Sequence, residues 1–264
     1  MDLDTVGEIA DPRTTPWQRG DAWLGGGSWL FSEPQPDVRR LLDLSSFGWP
    51  SLTVESGALR IAATCTLAEL AAYRAPSDWL AAPLFAQCAH ALLGSFKVHN
   101  VATVGGNICL ALPAGPMISL AAALDGRCEV ARRDRGVELL PVPDVVIGAG
   151  RTSILPGDLL RAVLLPLETL RQRTAFRQIA LSPVGRSAAL IVGRLDPSGV
   201  VITVTAATTR PVQVTLAPGA AVDGLLESID AAAGPYHDDV HGDPRWRRAM
   251  THRLVRQVVA ELSA

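Results

Sequence analysis

Val101-Ala102-Thr103-Val104-Gly105-Gly106-Asn107-Ile108 is an apolar run broken by a glycine pair and closed by asparagine. A second glycine cluster, Leu24-Gly25-Gly26-Gly27-Ser28-Trp29-Leu30, lies well upstream. Each follows a segment of strand-like composition. Glycine lets a backbone approach a ligand closely and take φ > 0, and successive N–H groups make an anion-binding nest. Two such loops turned onto one diphosphate would cradle a nucleotide cofactor. A lone Gly-Gly-Asn is weak evidence, because most glycine pairs are simply turns. The weight falls on the two loops together and on their wording.

The chain has 264 residues, 48% of them hydrophobic and 19% charged, enough for one large domain or two modest ones with real cores. Twenty-four Lys+Arg stand against 26 Asp+Glu, so the basic footprint of a nucleic-acid binder is absent. Aromatics make up 5%, too few for a single-strand stacking platform. Cys65, Cys88, Cys109 and Cys128 show no metal-ligand spacing, which argues against a zinc knuckle or an iron–sulfur cluster of the chain's own. Scattered cysteines in a chain this long read as reduced thiols of a cytoplasmic protein. The acidic start Met1-Asp2-Leu3-Asp4 lacks the apolar core of a signal peptide. Trp79–Phe96 carries no charge and has transmembrane length, but Pro83, Gln87, His90 and Gly94 interrupt it. A buried helix is the expectation, with no membrane insertion. From Trp79 to Leu124 the only formal charge is Lys97. That region is packed on all sides by protein or packed against a large ligand, and periodicity does not separate the two.

Along the chain, residues 1–20 read as an irregular arm. Ala22–Gly25 and Val38–Leu44 have strand character, and Leu52–Val54 with Leu59–Ala62 reads as a hairpin. Thr66 is a candidate N-cap for a helix over Leu67–Arg74, with Glu69 in its first turn. Leu80–Leu93 and Met117–Leu124 are further helices. Arg127–Arg132 and Val137–Pro141 pair, and Leu159–Leu165 is a strand. Beyond about Glu168 come β-rich runs, Thr174–Leu181, Ser187–Leu195 and Val200–Thr208, the last two joined by a turn at Asp196-Pro197-Ser198-Gly199. Helices Ala220–Ala232 and Pro244–Leu262 close the chain. The last places Trp246, Met250, Leu254, Val258 and Leu262 on one stripe, with Arg245, Arg247, Arg248, Arg253 and Arg256 off it. The fold class is α+β, with one domain over residues 1–168 and a smaller one, an antiparallel sheet with helices, over 169–264.

His99-Asn100-Val101-Ala102-Thr103-Val104-Gly105-Gly106-Asn107 resembles the second flavin-binding loop, Arg-Asn-x-Ala-Thr-x-Gly-Gly-Asn, of the FAD-binding subunit of molybdenum hydroxylases. That family includes xanthine dehydrogenases, aldehyde oxidases and carbon monoxide dehydrogenases, with a FAD domain of the PCMH-like type. Gly25-Gly26-Gly27-Ser28-Trp29-Leu30 resembles its first loop, Ala-Gly-Gly-Thr-Asp-Leu. Leu155-Pro156-Gly157-Asp158-Leu159-Leu160, closing at Leu165-Pro166, is similar to its Pro-Gly-Glu-Leu-Leu strand. Thr174–Arg177 resembles the aromatic-Lys segment opening its C-terminal domain, and Trp246-Arg247-Arg248 its Tyr-Arg-Arg helix start. The segments keep the family's order and spacing.

The resemblance implies non-covalent FAD, held by backbone groups of Leu24, Gly25, Gly26, Gly27, Ser28 and Trp29 and of Thr103, Val104, Gly105, Gly106 and Asn107. Ser28 and Thr103 would add hydroxyls and Asn107 an amide. Leu93 and Leu160 match aliphatic contacts, and Arg177 stands where the family commonly has Lys. Two positions depart from the pattern. Trp29 replaces the acid of Thr-Asp-Leu, and Gly115-Pro116 replaces a Ser-Asp pair, removing an acid expected at the ribityl hydroxyls. Arg177 keeps a charge but not the geometry of Lys. None of these touches the glycines.

No side chain is expected to act as catalytic acid, base or nucleophile, and no metal site is expected. His90 and His99 read as structural. His237, Asp238, Asp239 and His241 read as a polar loop, since no further ligand is identifiable. Cys109 reads as a small buried thiol. The implied function is that of an electron-transfer flavoprotein subunit, an oxidoreductase component whose partner subunits carry [2Fe–2S] clusters and a molybdenum–pterin cofactor, as a heterotrimer or its dimer. Substrate oxidation would occur in another subunit. A second reading is a non-redox structural or assembly subunit with weakened FAD binding, depending on whether Trp29 and Pro116 leave room for the dinucleotide. A third is a free-standing flavin oxidase, for which no base is assignable.

Overall fold

The computed structural model describes residues 5–264; the acidic start at residues 1–4 lies outside them. β1 (Glu8–Ala10), β2 (Asp21–Leu24) and β3 (Arg40–Asp43) form a small parallel sheet in the order β1-β3-β2. The arm over 1–20 therefore contains a strand, too short at three residues to show any periodicity. β4 (Leu52–Glu55) and β5 (Ala58–Ala62) form the expected hairpin, turning at Gly57 with φ +85°.

α1 (Leu67–Ala71) starts on a capping box in which Thr66 and Glu69 satisfy each other's backbone N–H. It stops short of Arg74, where the chain approaches Pro76 and the residue before proline is pushed extended. α2 (Pro83–Ala91) begins at Pro83 rather than Leu80, since proline suits the first helical position. α3 (Phe96–His99), α4 (Val104–Leu110) and α5 (Pro116–Ala123) follow. The second glycine loop is thus the first turn of a helix, entered from a helix and not from a strand.

β6 (Arg127–Arg132) and β7 (Gly136–Pro141) lead through α6 (Val142–Val145) to the short β8 (Val146–Gly148) and β9 (Arg151–Thr152). β10 (Leu159–Pro166) returns to the centre of an antiparallel sheet ordered β4-β5-β10-β6-β7. After α7 (Leu167–Leu170), β11 (Thr174–Ile179), β12 (Ala189–Asp196), β13 (Gly199–Thr205) and β14 (Val212–Leu216) make an antiparallel meander. β14, absent from the sequence expectation, is an edge strand that buries little beyond Val212. α8 (Val222–Ala233) and α9 (Pro244–Ser263) cover the meander. Among the described residues no helix is long and apolar enough to cross a membrane.

Two apolar cores result. The first joins Leu59, Ile61, Val130 and Val163 of the five-stranded sheet to α2 and the wholly buried α5. The second joins Ile191, Ile202 and Val204 to Ile229, Leu254 and Val258. β12 serves both: Leu190 and Val192 face the first core and Ile191 the second, which is why its apolar run is continuous rather than alternating. Ser119 and Thr205 share a buried hydroxyl hydrogen bond of 2.6 Å between α5 and β13. Arg194 donates to the Ala123 carbonyl and pairs with Asp125.

The stripe on α9 is rotated from expectation. Leu254, Val258 and Leu262 are buried, but so are Arg247 and Thr251, while Trp246 and Met250 are only half-buried. Arg247 reaches the interior because its donors meet the carbonyls of Gly242, Ala188 and Ala206 and the Asp239 carboxylate. A buried cation is tolerated when its donors are met this fully.

Candidate cofactor-binding site

β2 ends at Leu24, opposite Asp43 of β3, and hands the chain to Gly25. Beneath it the buried Asp21 carboxylate takes two hydrogen bonds from Arg40, at 3.0 and 2.7 Å, and one from the Gln18 N–H. Burial works to raise the Asp21 pKa, but these donors outweigh it and hold the carboxyl below its ordinary value. The platform under the first glycine loop is therefore fixed.

In that loop only Gly27 takes positive φ, +69°. Gly26 is required for packing, since a Cβ there would overlap the Val101 carbonyl. At Gly25 a Cβ would come within 3.0 Å of Thr103 Oγ1. The two glycine loops are thus in contact. The Phe31 N–H returns to the Gly27 carbonyl. Among the described residues, the N–H groups of Gly26, Gly27, Ser28, Trp29 and Leu30 donate to nothing.

The second loop differs. Val104 N–H donates to the Cys65 carbonyl and Gly105 N–H to the Ala63 carbonyl, both at 2.9 Å. Gly106 N–H goes to Thr103 Oγ1, which caps the helix, and Asn107 N–H to the Thr103 carbonyl. All four N–H groups are used within the protein, so this segment offers no backbone nest. Neither Gly105 nor Gly106 has positive φ. Gly105 is packed on Ala63, whose carbonyl would lie 2.8 Å from an added Cβ. Gly106 faces open space, with Thr103 Oγ1 its only near neighbour at 3.0 Å. Asn107 Oδ1 accepts from the Met117 N–H, which fixes the amide and leaves its NH2 toward the cleft.

Two cavities meet at these loops. One, of about 480 Å³, is walled by Gly25–Leu30, Ala91–Leu93, Thr103, Gly106, Asn107 and Arg186, among others. The other, of about 350 Å³, is walled by Trp17, Trp23, Leu44, Ile154–Leu160 and the same Gly25, Thr103 and Gly106. The shared residues form a neck between a lobe lined by N–H donors and an aromatic, aliphatic lobe. Trp17 and Trp23 lie 5.0 Å apart in the second lobe, and Trp23 Nε1 donates to the Asp158 carbonyl. The Asp158 carboxylate takes Arg132 and the N–H groups of Arg133 and Leu155. Burial would raise its pKa, but these donors prevail and keep it below the ordinary 3.8.

The structure brings Gly25, Gly26, Gly27, Ser28, Trp29, Leu93, Thr103, Gly106 and Asn107 around the first lobe, and Gly105 and Leu160 around the second. Leu24 lies at the loop's root. Val104 is buried in the core and lines neither lobe. Arg177 also lines neither; it pairs with Glu261 of α9 at 2.5 Å. Trp29 forms part of the wall and leaves the lobe open, and Pro116 is buried in α5 outside both walls. The charge-poor stretch 79–124 proves to be both core and cavity wall.

Sequence reasoning missed Trp17, Trp23 and Arg186. Trp17 was hidden in the arm, and Arg186 lies in a loop without a motif. Cys109 opens onto the neck and is exposed there, not the small buried thiol expected from the sequence. His237 and Asp239 pair with each other, and Asp239 also holds Arg247.

Residues 24–168 match the family model described as the FAD binding domain in molybdopterin dehydrogenase. Over 70 residues the chain is 31% identical to a xanthine dehydrogenase of Oryza sativa subsp. japonica, a match covering 26% of this chain and 5% of that protein. The fold is similar to that of CO dehydrogenase from Oligotropha carboxidovorans, with TM-score 0.78, 19% identity and coverage of 91% and 89% of the two chains. It is also similar to quinoline 2-oxidoreductase from Pseudomonas putida 86, with TM-score 0.75, 18% identity and coverage of 92% and 89%.

Proposed function

Since the chain belongs to the family of FAD-binding domains of molybdopterin dehydrogenases, we propose that it holds FAD non-covalently in the two-lobed cleft and acts as the flavoprotein subunit of a molybdenum-containing dehydrogenase. The observation that carries this reading is the run of five unpartnered N–H groups from Gly26 to Leu30, facing an apolar cleft pinched at Gly106. An extended dinucleotide suits that shape: an anionic middle against a nest, with planar ends in apolar lobes. A side chain on Gly106 would fill the neck.

In this reading the first loop's backbone binds the diphosphate, with the Ser28 hydroxyl and the Asn107 amide beside it. Thr103 orients the neck by spending its Oγ1 lone pair on Gly106 N–H and keeping its own proton available. Leu93 covers the rim of the first lobe, and Leu160 with Trp17 and Trp23 excludes water from the second. Bound there, the flavin supplies a redox centre between partner [2Fe–2S] clusters and an external acceptor. The partners are an iron–sulfur and a molybdenum–pterin subunit, where substrate oxidation takes place, and the assembly is cytoplasmic. The chain divides into a flavin domain over 1–168 and a C-terminal domain over 169–264. Neither lobe carries an unpaired carboxylate or a histidine, which fits a subunit that moves electrons and has no acid–base chemistry of its own.

The test is the visible spectrum of the purified full chain, before and after adding FAD. Stoichiometric oxidised-flavin bands released by denaturation are the expected result. A colourless chain that takes up no FAD in excess, alone and with partner subunits, would leave the assembly-subunit reading in its place.

A further inference from the structure

Resting on the flavin reading above, we infer that Arg186 is a charge clamp on the dinucleotide's diphosphate, carried to the first glycine loop by the β11–β12 connection. Arg186 is the only lysine or arginine among the residues walling either lobe. It is half-buried, and its guanidinium has neither hydrogen bond nor ion pair among the described residues. The more deeply buried arginines here are spent on carboxylates: Arg40 on Asp21, Arg60 on Glu129, Arg132 on Asp158, Arg194 on Asp125 and Arg247 on Asp239. A cation that gives up hydration without a protein partner in an otherwise uncharged lobe calls for an anionic ligand.

The rest of the first lobe agrees. It holds the free N–H groups of the first loop and the Asn107 amide, all donors. The second lobe holds no Lys or Arg, and its carboxylate, Asp158, is already engaged. Anion binding is therefore confined to the first lobe. The planar fork of a guanidinium matches two phosphate oxygens at once. The diphosphate would then be gripped from one side by residues 26–30 and from the other by residue 186, so that ligand binding ties the four-stranded meander to the parallel sheet.

The experiment titrates the full chain, as wild type, Arg186→Gln and Arg186→Lys, with FAD, ADP and riboflavin at low and high salt, alongside apo melting curves. Arg186→Gln should weaken FAD and ADP by about ten- to a hundredfold and flatten their salt dependence. Arg186→Lys should lose less, riboflavin (which has no phosphate) should be unaffected, and the apo melting temperature should not move. Equal weakening of riboflavin and FAD would put Arg186 against the ring and overturn the inference, as would unchanged FAD affinity in Arg186→Gln. If the wild-type chain binds no FAD, alone and with partner subunits, the flavin reading itself fails. ADP then decides: weaker ADP in Arg186→Gln keeps the diphosphate clamp, while unchanged or undetectable ADP binding overturns it.

Discussion

Gly26 and Gly106 both wall the first lobe, and a Cβ added at each meets different things. At Gly26 it would overlap the Val101 carbonyl; at Gly106 it meets only the Thr103 hydroxyl and the open cleft. Their backbones are also used in opposite ways. The first loop leaves its N–H groups free, while the second spends all of its own on Ala63, Cys65 and Thr103. One loop is the donor surface. The other is a spacer, held rigid and kept thin so that a ligand can pass. Two glycine-rich runs of similar wording thus divide the work.

Substituting the packed glycines should have the largest effect. Gly26→Ala drives a methyl into backbone and should cost at least about 3 kcal/mol, and Gly105→Ala, wedged on Ala63, about 1–3 kcal/mol. Both should appear as losses in chemical-denaturation midpoint before any question of flavin arises. A Gly105→Ala chain of wild-type stability would erase the contrast between Gly105 and Gly106.

Gly106→Val should separate folding from binding. It removes a helical glycine and crowds the Thr103 cap, so stability should stay within about 1 kcal/mol of wild type. The valine branches would stand in the neck, and the protein should purify without flavin. The cause is occupied space, since Gly106 does not take the positive φ that its motif brings to mind. A folded Gly106→Val chain with stoichiometric FAD would refute the passage through the neck.

The second lobe offers the smallest, pH-dependent effect. Asp158 is held below the ordinary 3.8 by its donors. A carboxyl with a lowered folded pKa contributes stability fully above its unfolded value and loses it as pH falls through the folded one. Trp23, whose indole donates to the Asp158 carbonyl, should report this as a fluorescence change below pH 3.8, before global unfolding. Asp158→Asn should abolish that step and leave the first lobe intact.

Much of the fold was legible because local chemistry announces it: the Thr66–Glu69 capping box, the hairpin across Gly57, the turn at Asp196–Gly199. The glycine positions were legible too, but not their reasons. Sequence marks where a side chain is forbidden; only packing distinguishes a carbonyl pressed on Gly26 from a channel beside Gly106. Arg247 was misplaced because helical periodicity sorts residues by polarity, while this arginine is buried by three carbonyls and a carboxylate brought from distant segments. Arg177 was singled out by its motif position, yet its partner is Glu261, 84 residues away. Arg186 had no motif to flag it.

Amide hydrogen exchange of the full chain with and without FAD tests the division between the loops most directly. The account predicts that Val104–Asn107 is protected already in the free chain, that Gly26–Leu30 exchanges freely, and that FAD protects the second group while barely changing the first. Free exchange at Val104–Asn107 that FAD suppresses, with Gly26–Leu30 unmoved, would contradict it.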